Sequence, residues 1–392
     1  MRFRCPMCAT WQSLPEDRCA DGAEHTCPQC GALLVLAAEP STDGSHWQAS
    51  PREERQATSP GEDPLLALLE AADGGESSGR AEELTGLRAQ LVAMTFAASV
   101  RLWLPAAALV ALGLLLGVGT LVVGQRVERA LALLLAPFAL GLLAFSMVLA
   151  ASAVAKGVHL TRSGHAVGIG RSLRMIAEHG NGALGSALRF VSLGALGATM
   201  CGLLALLGAF PGLSGGGGLA LTGALLIFQL LAVGAALWIL GLMAVALLIH
   251  PGLAATGSAP AGKIFRFVLT LLSREARDLF RRAALPLGTA VAMILAGAWL
   301  LRAALGAAIS LNTRILGAPF NDLISSSPIR VIYGMPELLD PPLALTVGGL
   351  AMAVSLALAA SLVLGYVASF LGVSGYLLAR GMGLPDRLRG PR

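Results

Sequence analysis

The chain has 392 residues, of which 55% are hydrophobic and 13% charged, and its formal net charge is +5. Soluble globular domains carry roughly 25% charged residues, so this composition excludes an ordinary soluble domain and indicates a membrane protein. Residues 1–97 hold 15 acids and 7 bases, a net of −8, whereas residues 98–392 hold 8 acids and 21 bases, a net of +13. Because these bases accompany apolar spans, lipid headgroups are the expected partners and nucleic acid is not.

Two Cys-x-x-Cys motifs open the chain, one at Cys5 and Cys8 and the other at Cys27 and Cys30. Each motif directs two sulfur atoms at one metal ion, and two motifs complete the closed tetrahedral site of a structural zinc ion. The stretches FRCPMC and HTCPQCG resemble the short zinc-ribbon heads that begin many bacterial membrane and regulatory proteins. The resemblance covers residues 1–36, and it implies a small ribbon of β-knuckles in which these four cysteines hold zinc.

Other interpretations of the cysteine-rich head stay open. In an oxidising compartment the two pairs would form two disulfides instead. Cys19 and His25 are additional candidate ligands. If the site is a closed one with four cysteine ligands, it has no open coordination position, so neither catalysis at the metal nor an enzymatic activity is expected.

Residues 37–97 are predicted to be a disordered acidic linker that ends in a short helix. The stretch is rich in Pro, Gly, Ser, Asp and Glu up to about residue 80 and cannot bury enough apolar surface to offset its ordering entropy. The first thirty residues contain no apolar signal-peptide core, so the first membrane span is expected to act as an internal signal-anchor.

Six apolar stretches within residues 98–380 predict an all-α polytopic membrane domain with six transmembrane helices. Each stretch reaches the roughly 20 residues that cross a hydrocarbon core, and a helix satisfies its own backbone in lipid. The fourth and sixth stretches are longer than needed, which predicts tilt or an overhang. The stretches lie near 103–123, 130–155, 190–210, 219–249, 286–308 and 344–370.

The distribution of basic residues predicts the orientation. In a six-span arrangement 15 bases fall on one side and four, Arg126, Arg129, Arg314 and Arg330, on the other. The positive-inside rule therefore places both termini and a basic tail at 381–392 in the cytoplasm. Arginine almost completely replaces lysine, as in proteins from GC-rich bacterial genomes, so a bacterial inner membrane is expected.

Two loops on the basic side, near 166–188 and 260–284, are predicted to be amphipathic helices at the membrane interface. In the second loop, polar residues at helical spacing lie opposite an apolar face. Anionic headgroups are the expected partners of both loops, and the acidic region 1–97 is a second candidate. The polar stripe is Arg266, Thr270, Ser273, Arg277 and Arg281, and the apolar face is Phe265, Val268, Leu272, Ala276, Leu279 and Ala283.

The stretch VALLIHPGLAATGSAPAGKIFRFVLTLLSREARDLFRR lies within 220–310, a region that resembles bacterial multi-pass proteins of the glycerophosphodiesterase membrane-domain type. The shared layout is a span, a Pro-containing turn, a basic amphipathic helix and another span. The resemblance implies no hydrolase activity, because this chain lacks the catalytic barrel. His250, beside Pro251, is predicted from its position to lie at the end of the fourth span.

Polar residues inside the predicted spans are few, and they commonly mark function. Arg302 in the fifth span and Gln229 in the fourth form a candidate intramembrane polar site. Arg302 is expected either to extend to the outer interface or to line a cavity with Asp322 or Glu337. Gly113 and Gly117 form a GxxxG motif, which favours close helix packing. The outer segment 309–343 is predicted to be a plain connector or a short surface or re-entrant helix.

These patterns predict an integral inner-membrane protein whose cytoplasmic zinc-binding head is an interaction or regulatory module with a protein partner. The alternative is a transporter or lipid-handling protein in which the zinc ribbon is regulatory. A polar cavity around Arg302 and Gln229 would favour the alternative, and a solid bundle packed through glycines would favour the first hypothesis. A homo-oligomer is compatible with both.

Overall fold

A computed structural model describes residues 2–4, 11–13, 24–27, 33–38, 47–51, 86–127, 129–162, 170, 172–173, 181–209, 216–256, 259–326 and 343–389. Within these ranges five short strands precede nine helices. The strands are β1 (Arg2–Arg4), β2 (Trp11–Ser13), β3 (Glu24–Thr26), β4 (Leu33–Ala38) and β5 (Trp47–Pro51). The helices are α1 (Leu87–Ala97), α2 (Val100–Val127), α3 (Arg129–Arg162), α4 (Asn181–Ala209), α5 (Gly216–Thr256), α6 (Ala261–Leu316), α7 (Ala318–Ser326), α8 (Leu343–Gly381) and α9 (Leu384–Arg389).

The N-terminal strands form two antiparallel sheets. Strand β1 pairs with β2, with Phe3 opposite Gln12. Strand β4 lies between β3 and β5, with His25 opposite Leu34 and Ala38 opposite Trp47. The paired strands therefore extend beyond residue 36, into the segment that the sequence predicts to be a linker. A composition argument averages over a long window, and it does not detect a five-residue strand that a neighbouring strand supports.

Five helices are long and apolar enough to cross a membrane, so the coarse prediction of a helical multi-pass membrane protein is correct. These segments are Val100–Thr120, Phe138–Arg162, Gly223–Thr256, Ala261–Leu316 and Val347–Gly381. The predicted third span, 190–210, falls in α4, which begins nine residues earlier at Asn181. Most of the predicted loop helix near 166–188 lies outside the described residues, and its last part, from Asn181, is the start of α4.

Helix α6 joins two elements that the sequence separates. The predicted interface helix near 260–284 and the predicted span 286–308 form one helical run of 56 residues. The run passes through Pro286, as membrane helices commonly do, and it kinks at Glu275, where φ is −124° and ψ is 23°. The outer segment 309–343 is likewise partly helical, because α6 ends at Leu316 and the nine-residue α7 follows.

One end of the helix bundle, which we call the basic end, is densely packed. It comprises residues 87–97, 102–110, 150–162, 184–194, 241–256, 261–284 and 364–389. Two apolar clusters fill it, one centred on Tyr376 and Phe370 of α8 and the other on Ile249 and Leu253 of α5. Val268 and Leu279, from the predicted apolar face of the 260–284 helix, belong to the second cluster. That face therefore contacts other helices of the chain.

Glycines bring the helices of the basic end into backbone contact. A Cβ atom added at Gly375 would lie 2.1 Å from the carbonyl oxygen of Leu248, and one at Gly372 would lie 2.5 Å from that of Ala151. A Cβ at Gly365 would lie 2.4 Å from the Cα of Ala107. Helix α8 is thus in close contact with α2, α3 and α5, at distances that only glycine permits.

The predicted GxxxG motif of α2 also lies at a helix contact. A Cβ added at Gly113 would lie 2.2 Å from the hydroxyl oxygen of Ser146, and one at Gly117 would lie 3.1 Å from the carbonyl oxygen of Ala139. Both neighbours belong to α3. The prediction of close packing at this motif is therefore confirmed.

The opposite part of the bundle, which we call the outer part, exposes its apolar side chains. It comprises residues 221–240 of α5, 285–316 of α6 and 344–362 of α8. Leu230 is 60% exposed, Trp299 is 68% exposed and Leu350 is 56% exposed. Leucine and tryptophan at this exposure are stable against lipid chains, so the outer part has the surface of a membrane-embedded region.

Candidate functional site

Each of the two Cys-x-x-Cys motifs lies, in sequence, between two strands that pair with each other. Cys5 and Cys8 fall between the paired strands β1 and β2, and Cys27 and Cys30 fall between β3 and β4. Cys27 is fully buried and follows β3 directly. The other three predicted ligands, Cys5, Cys8 and Cys30, lie outside the described residues, as does Cys19.

Cys27 also links the two sheets. The side-chain amide of Gln12, on β2, donates a hydrogen bond to the Cys27 sulfur across 3.6 Å. Such a bond stabilises sulfur that carries negative charge, as it does in a metal-bound thiolate. Partial burial lowers the pKa of His25, two residues earlier, so its ring is neutral at pH 7. Among the described residues no group of three or more His, Cys, Asp or Glu side chains is arranged around a common point.

A set of buried polar side chains crosses the basic end. Ser186 on α4 and His250 on α5 are fully buried, and the serine Oγ lies 2.8 Å from the histidine Nε2. The ring of Phe190 meets the imidazole edge-on, with centroids 6.2 Å apart. The pair connects two helices and has no access to solvent, so it suits a structural link better than a nucleophilic site.

The prediction that His250 lies at a helix end is wrong. Helix α5 continues through Pro251 to Thr256, which places His250 six residues before the end. A proline inside a helix removes one hydrogen bond, and the tight packing of Gly252 against Gly375 holds the helix together at this point.

Two further polar links join distant parts of the chain at the basic end. The hydroxyl of Ser374, on α8, donates to the Oε1 atom of Gln90, on α1, across 2.9 Å. His159 Nδ1, on α3, lies 3.3 Å from the Tyr376 hydroxyl of α8. These residues are 284 and 217 positions apart, so sequence reasoning did not pair them. All four residues lie outside the predicted apolar stretches, so no local signal pointed to them.

A fourth link lies at the C-terminal end of α5. The Lys156 ammonium, on α3, donates to the carbonyl oxygen of Ala255 across 2.9 Å. Ala255 is the second-last residue of α5, where helix carbonyls lack partners within the helix. The lysine therefore caps the α5 C-terminus and offsets its negative dipole.

Charged side chains line the exposed surface of α6 at the basic end. A surface groove of about 470 Å³ is lined by Arg274, Glu275, Arg277, Asp278 and Arg281. Arg282 donates to Asp278 across 2.9 Å, and Arg387 of α9 forms a two-fold ion pair with Glu275. The Glu275 carboxylate raises the pKa of Arg387. Arg266, Thr270, Ser273, Arg277 and Arg281, the predicted polar stripe, lie along the outward face of the helix.

The two residues predicted to form an intramembrane polar site lie on neighbouring helices of the outer part. Arg302 is on α6 and exposed, and Gln229 is on α5. Asp322, a predicted partner of Arg302, is on α7, and Glu337 lies outside the described residues. A polar site shared by Arg302 and Gln229 stays a prediction.

No protein-family model, curated protein or solved structure matches this chain.

Proposed function

We propose that the chain is a six-span protein of a bacterial inner membrane whose N-terminal head holds a structural zinc ion and acts as an interaction or regulatory module in the cytoplasm. The membrane domain is a packed scaffold that anchors this head. The observation that carries the proposal is the backbone contact of α8 with three helices at Gly365, Gly372 and Gly375. These backbone contacts oppose an aqueous route between α8 and its three neighbours at the contact positions.

The zinc site is supported by the position of the cysteine motifs between antiparallel strands. A zinc knuckle is a turn between two such strands, and the buried sulfur of Cys27 already accepts a hydrogen bond from Gln12. Cys5, Cys8, Cys27 and Cys30 would hold the ion, which would supply folding energy to the small head at residues 1–36.

Six spans are supported by the length of α4. Its 29 residues extend about 43 Å at 1.5 Å per residue, which exceeds the thickness of a hydrocarbon core. An even number of spans keeps the basic end and both termini on one side, as the positive-inside rule requires.

The alternative, a transporter or lipid-handling protein, requires a polar cavity around Arg302 and Gln229. The glycine contacts of the basic end oppose a through-going path, so the scaffold hypothesis has the stronger support.

Zinc content tests the head. Purified chain should contain about one zinc ion per chain, and Cys27→Ser should lose it, because three thiolates no longer close the tetrahedral site. The matched control is Cys19→Ser, which should keep the ion. The Cys27→Ser variant should also lose any protein that is crosslinked to the wild-type head in native membranes. A wild-type chain without metal, measured by elemental analysis, would contradict the zinc head.

Cysteine labelling tests the topology. With a reagent that does not cross the inner membrane, Ser326→Cys should be labelled in intact cells, because it ends α7 at the outer part. Ser273→Cys, on the basic end, should be labelled only after the membrane is opened. Labelling of Ser273→Cys in intact cells would overturn the orientation.

A further inference from the structure

The exposed surface of α6 changes character within one turn. Up to Arg281 its outward side chains include Arg274 and Arg277, whereas from Leu285 onward they are mainly apolar, such as Val291, which is 55% exposed. A helix that leaves the membrane changes in this way at the headgroup level. The groove at Arg274, Arg277 and Arg281 therefore lies against the headgroups.

Aromatic side chains indicate the same depth. Trp238 of α5 stacks on Phe280 of α6, with ring centroids 5.6 Å apart and an angle of 21° between the rings. Trp238 is 61% exposed, and Phe280 is in the same helical turn as Arg277 and Arg281. Tryptophan is enriched at the boundary between hydrocarbon and headgroups, where its ring is apolar and its N–H can reach polar groups.

The groove retains positive charge after its internal ion pairs are formed. Asp278 is paired with Arg281 and Arg282, and Glu275 is paired with Arg387. Five arginines and two carboxylates give a net charge of +3 for this cluster. Arg274 and Arg277 have no carboxylate within ion-pair distance in the described part of the chain. Their guanidinium groups are therefore available for an external anion.

We propose that the groove formed by Arg274, Arg277 and Arg281 binds the phosphate headgroup of an anionic phospholipid. The proposal rests on the membrane placement described above, and it adds a defined site to the general affinity of basic loops for anionic membranes. A guanidinium matches two oxygens of a phosphate with two parallel N–H groups. The paired carboxylates hold the arginines Arg281, Arg282 and Arg387 in position around the groove.

The occupant is a lipid because the groove adjoins the apolar surface that starts at Leu285. A phospholipid bound with its phosphate at Arg277 can lay its acyl chains along exposed Leu285 and Val291. The exposed apolar side chains continue along α6 through Leu295 and Trp299, which is the surface that acyl chains cover. Residues 61–76 of this chain, which carry five acids around the apolar stretch PLLALLEAA, are the competing occupant.

The test is native mass spectrometry of the full chain in neutral detergent, titrated with phosphatidylglycerol or with phosphatidylcholine. Wild type should bind phosphatidylglycerol preferentially. The double variant Arg274→Gln/Arg277→Gln should weaken the tightest binding event about 30-fold, since each base near the surface contributes on the order of tenfold or less. The matched control is Arg314→Gln, which removes an exposed arginine from the same helix and should leave that event unchanged.

Three results would overturn the site. They are equal binding of the two lipids by wild type, unchanged phosphatidylglycerol binding in the double variant, and loss of equal size in Arg314→Gln. Binding of a synthetic 61–76 peptide that the double variant loses, while lipid binding persists, would assign the groove to the acidic segment instead. Zinc content measured on the same samples separates the two proposals, because the double variant should keep its zinc whether or not the head binds a partner.

Discussion

The two halves of helix α5 show how differently one apolar sequence can be used. From Gly241 to Thr256 no residue is exposed, and from Leu221 to Leu240 no described residue is buried. Both halves are rich in leucine and alanine, so composition alone does not separate them. The two halves differ in what surrounds them. Other helices of the protein surround residues 241–256, whereas residues 221–240 face outward. The length of an apolar stretch in a membrane protein therefore shows how many residues are removed from water, by lipid or by protein. It does not by itself give the length of the segment that crosses the membrane.

Two leucine substitutions, one in each half of α5, should give the clearest test of whether the halves are packed differently. Leu253 is fully buried in the basic end, and Leu230 is 60% exposed in the outer part. Leu253→Ala should lower the free energy of unfolding by about 3 kcal/mol, because it opens a cavity in packed protein. Leu230→Ala should change it by less than about 0.5 kcal/mol, because lipid refills the space. Thermal unfolding in detergent measures both, and equal effects would mean that the two halves are packed alike.

A glycine pair should give the next largest effect. Gly375→Ala places a methyl group against the Leu248 backbone, which cannot rotate away, and we expect a loss of about 2.5 kcal/mol. Gly234→Ala, on the outer half of α5, meets no atom within 4 Å and should be neutral or slightly stabilising. The midpoint of thermal unfolding distinguishes them. A Gly375→Ala variant as stable as wild type would show that α8 is not locked against α5.

The buried polar links should give the smallest of the three effects. Ser186→Ala removes a hydrogen-bond partner of His250 inside protein, which should cost about 1.5 kcal/mol. Ser273→Ala, at an exposed position on α6, should cost nothing measurable. A double-mutant cycle of Ser186→Ala with His250→Phe should give a coupling of about 1 kcal/mol. Strict additivity would contradict a direct link between α4 and α5.

Much of the membrane domain follows from the sequence because apolar length and glycine spacing are local properties. The GxxxG motif at Gly113 and Gly117 needed only one helix to be recognised, and it does lie at a helix contact. The overhang of the fourth and sixth stretches was also visible in their length. Whether the extra residues lead to a tilted helix or pack against other helices depends on neighbours that are distant in sequence.

Two misassigned features lie beside prolines. The helix end predicted at His250 is next to Pro251, and the predicted fifth span starts at Pro286, yet both helices continue through these positions. In water, a proline commonly ends a helix, because solvent can bind the backbone carbonyls that the break leaves unpaired. In a chain packed on all sides or embedded in lipid, continuing the helix leaves fewer polar groups unsatisfied than breaking it does. The Ser186–His250 link has no local signal at all, because its partners are 64 residues apart.

The kink at Glu275 gives α6 the geometry of a lever. On one side lie 14 residues, 261–274, and on the other lie 41 residues, 276–316, which at 1.5 Å each extend about 62 Å. Residues 276–284 of this longer side still belong to the basic end, where Leu279 is fully buried. If the long arm moves as a rod, a rotation of about 5° at the kink displaces its far end by about 5 Å. Arg387 of α9 forms an ion pair with Glu275, so the short C-terminal helix contacts α6 directly at the kink. A small displacement at the C-terminus would therefore be magnified at the opposite face of the membrane.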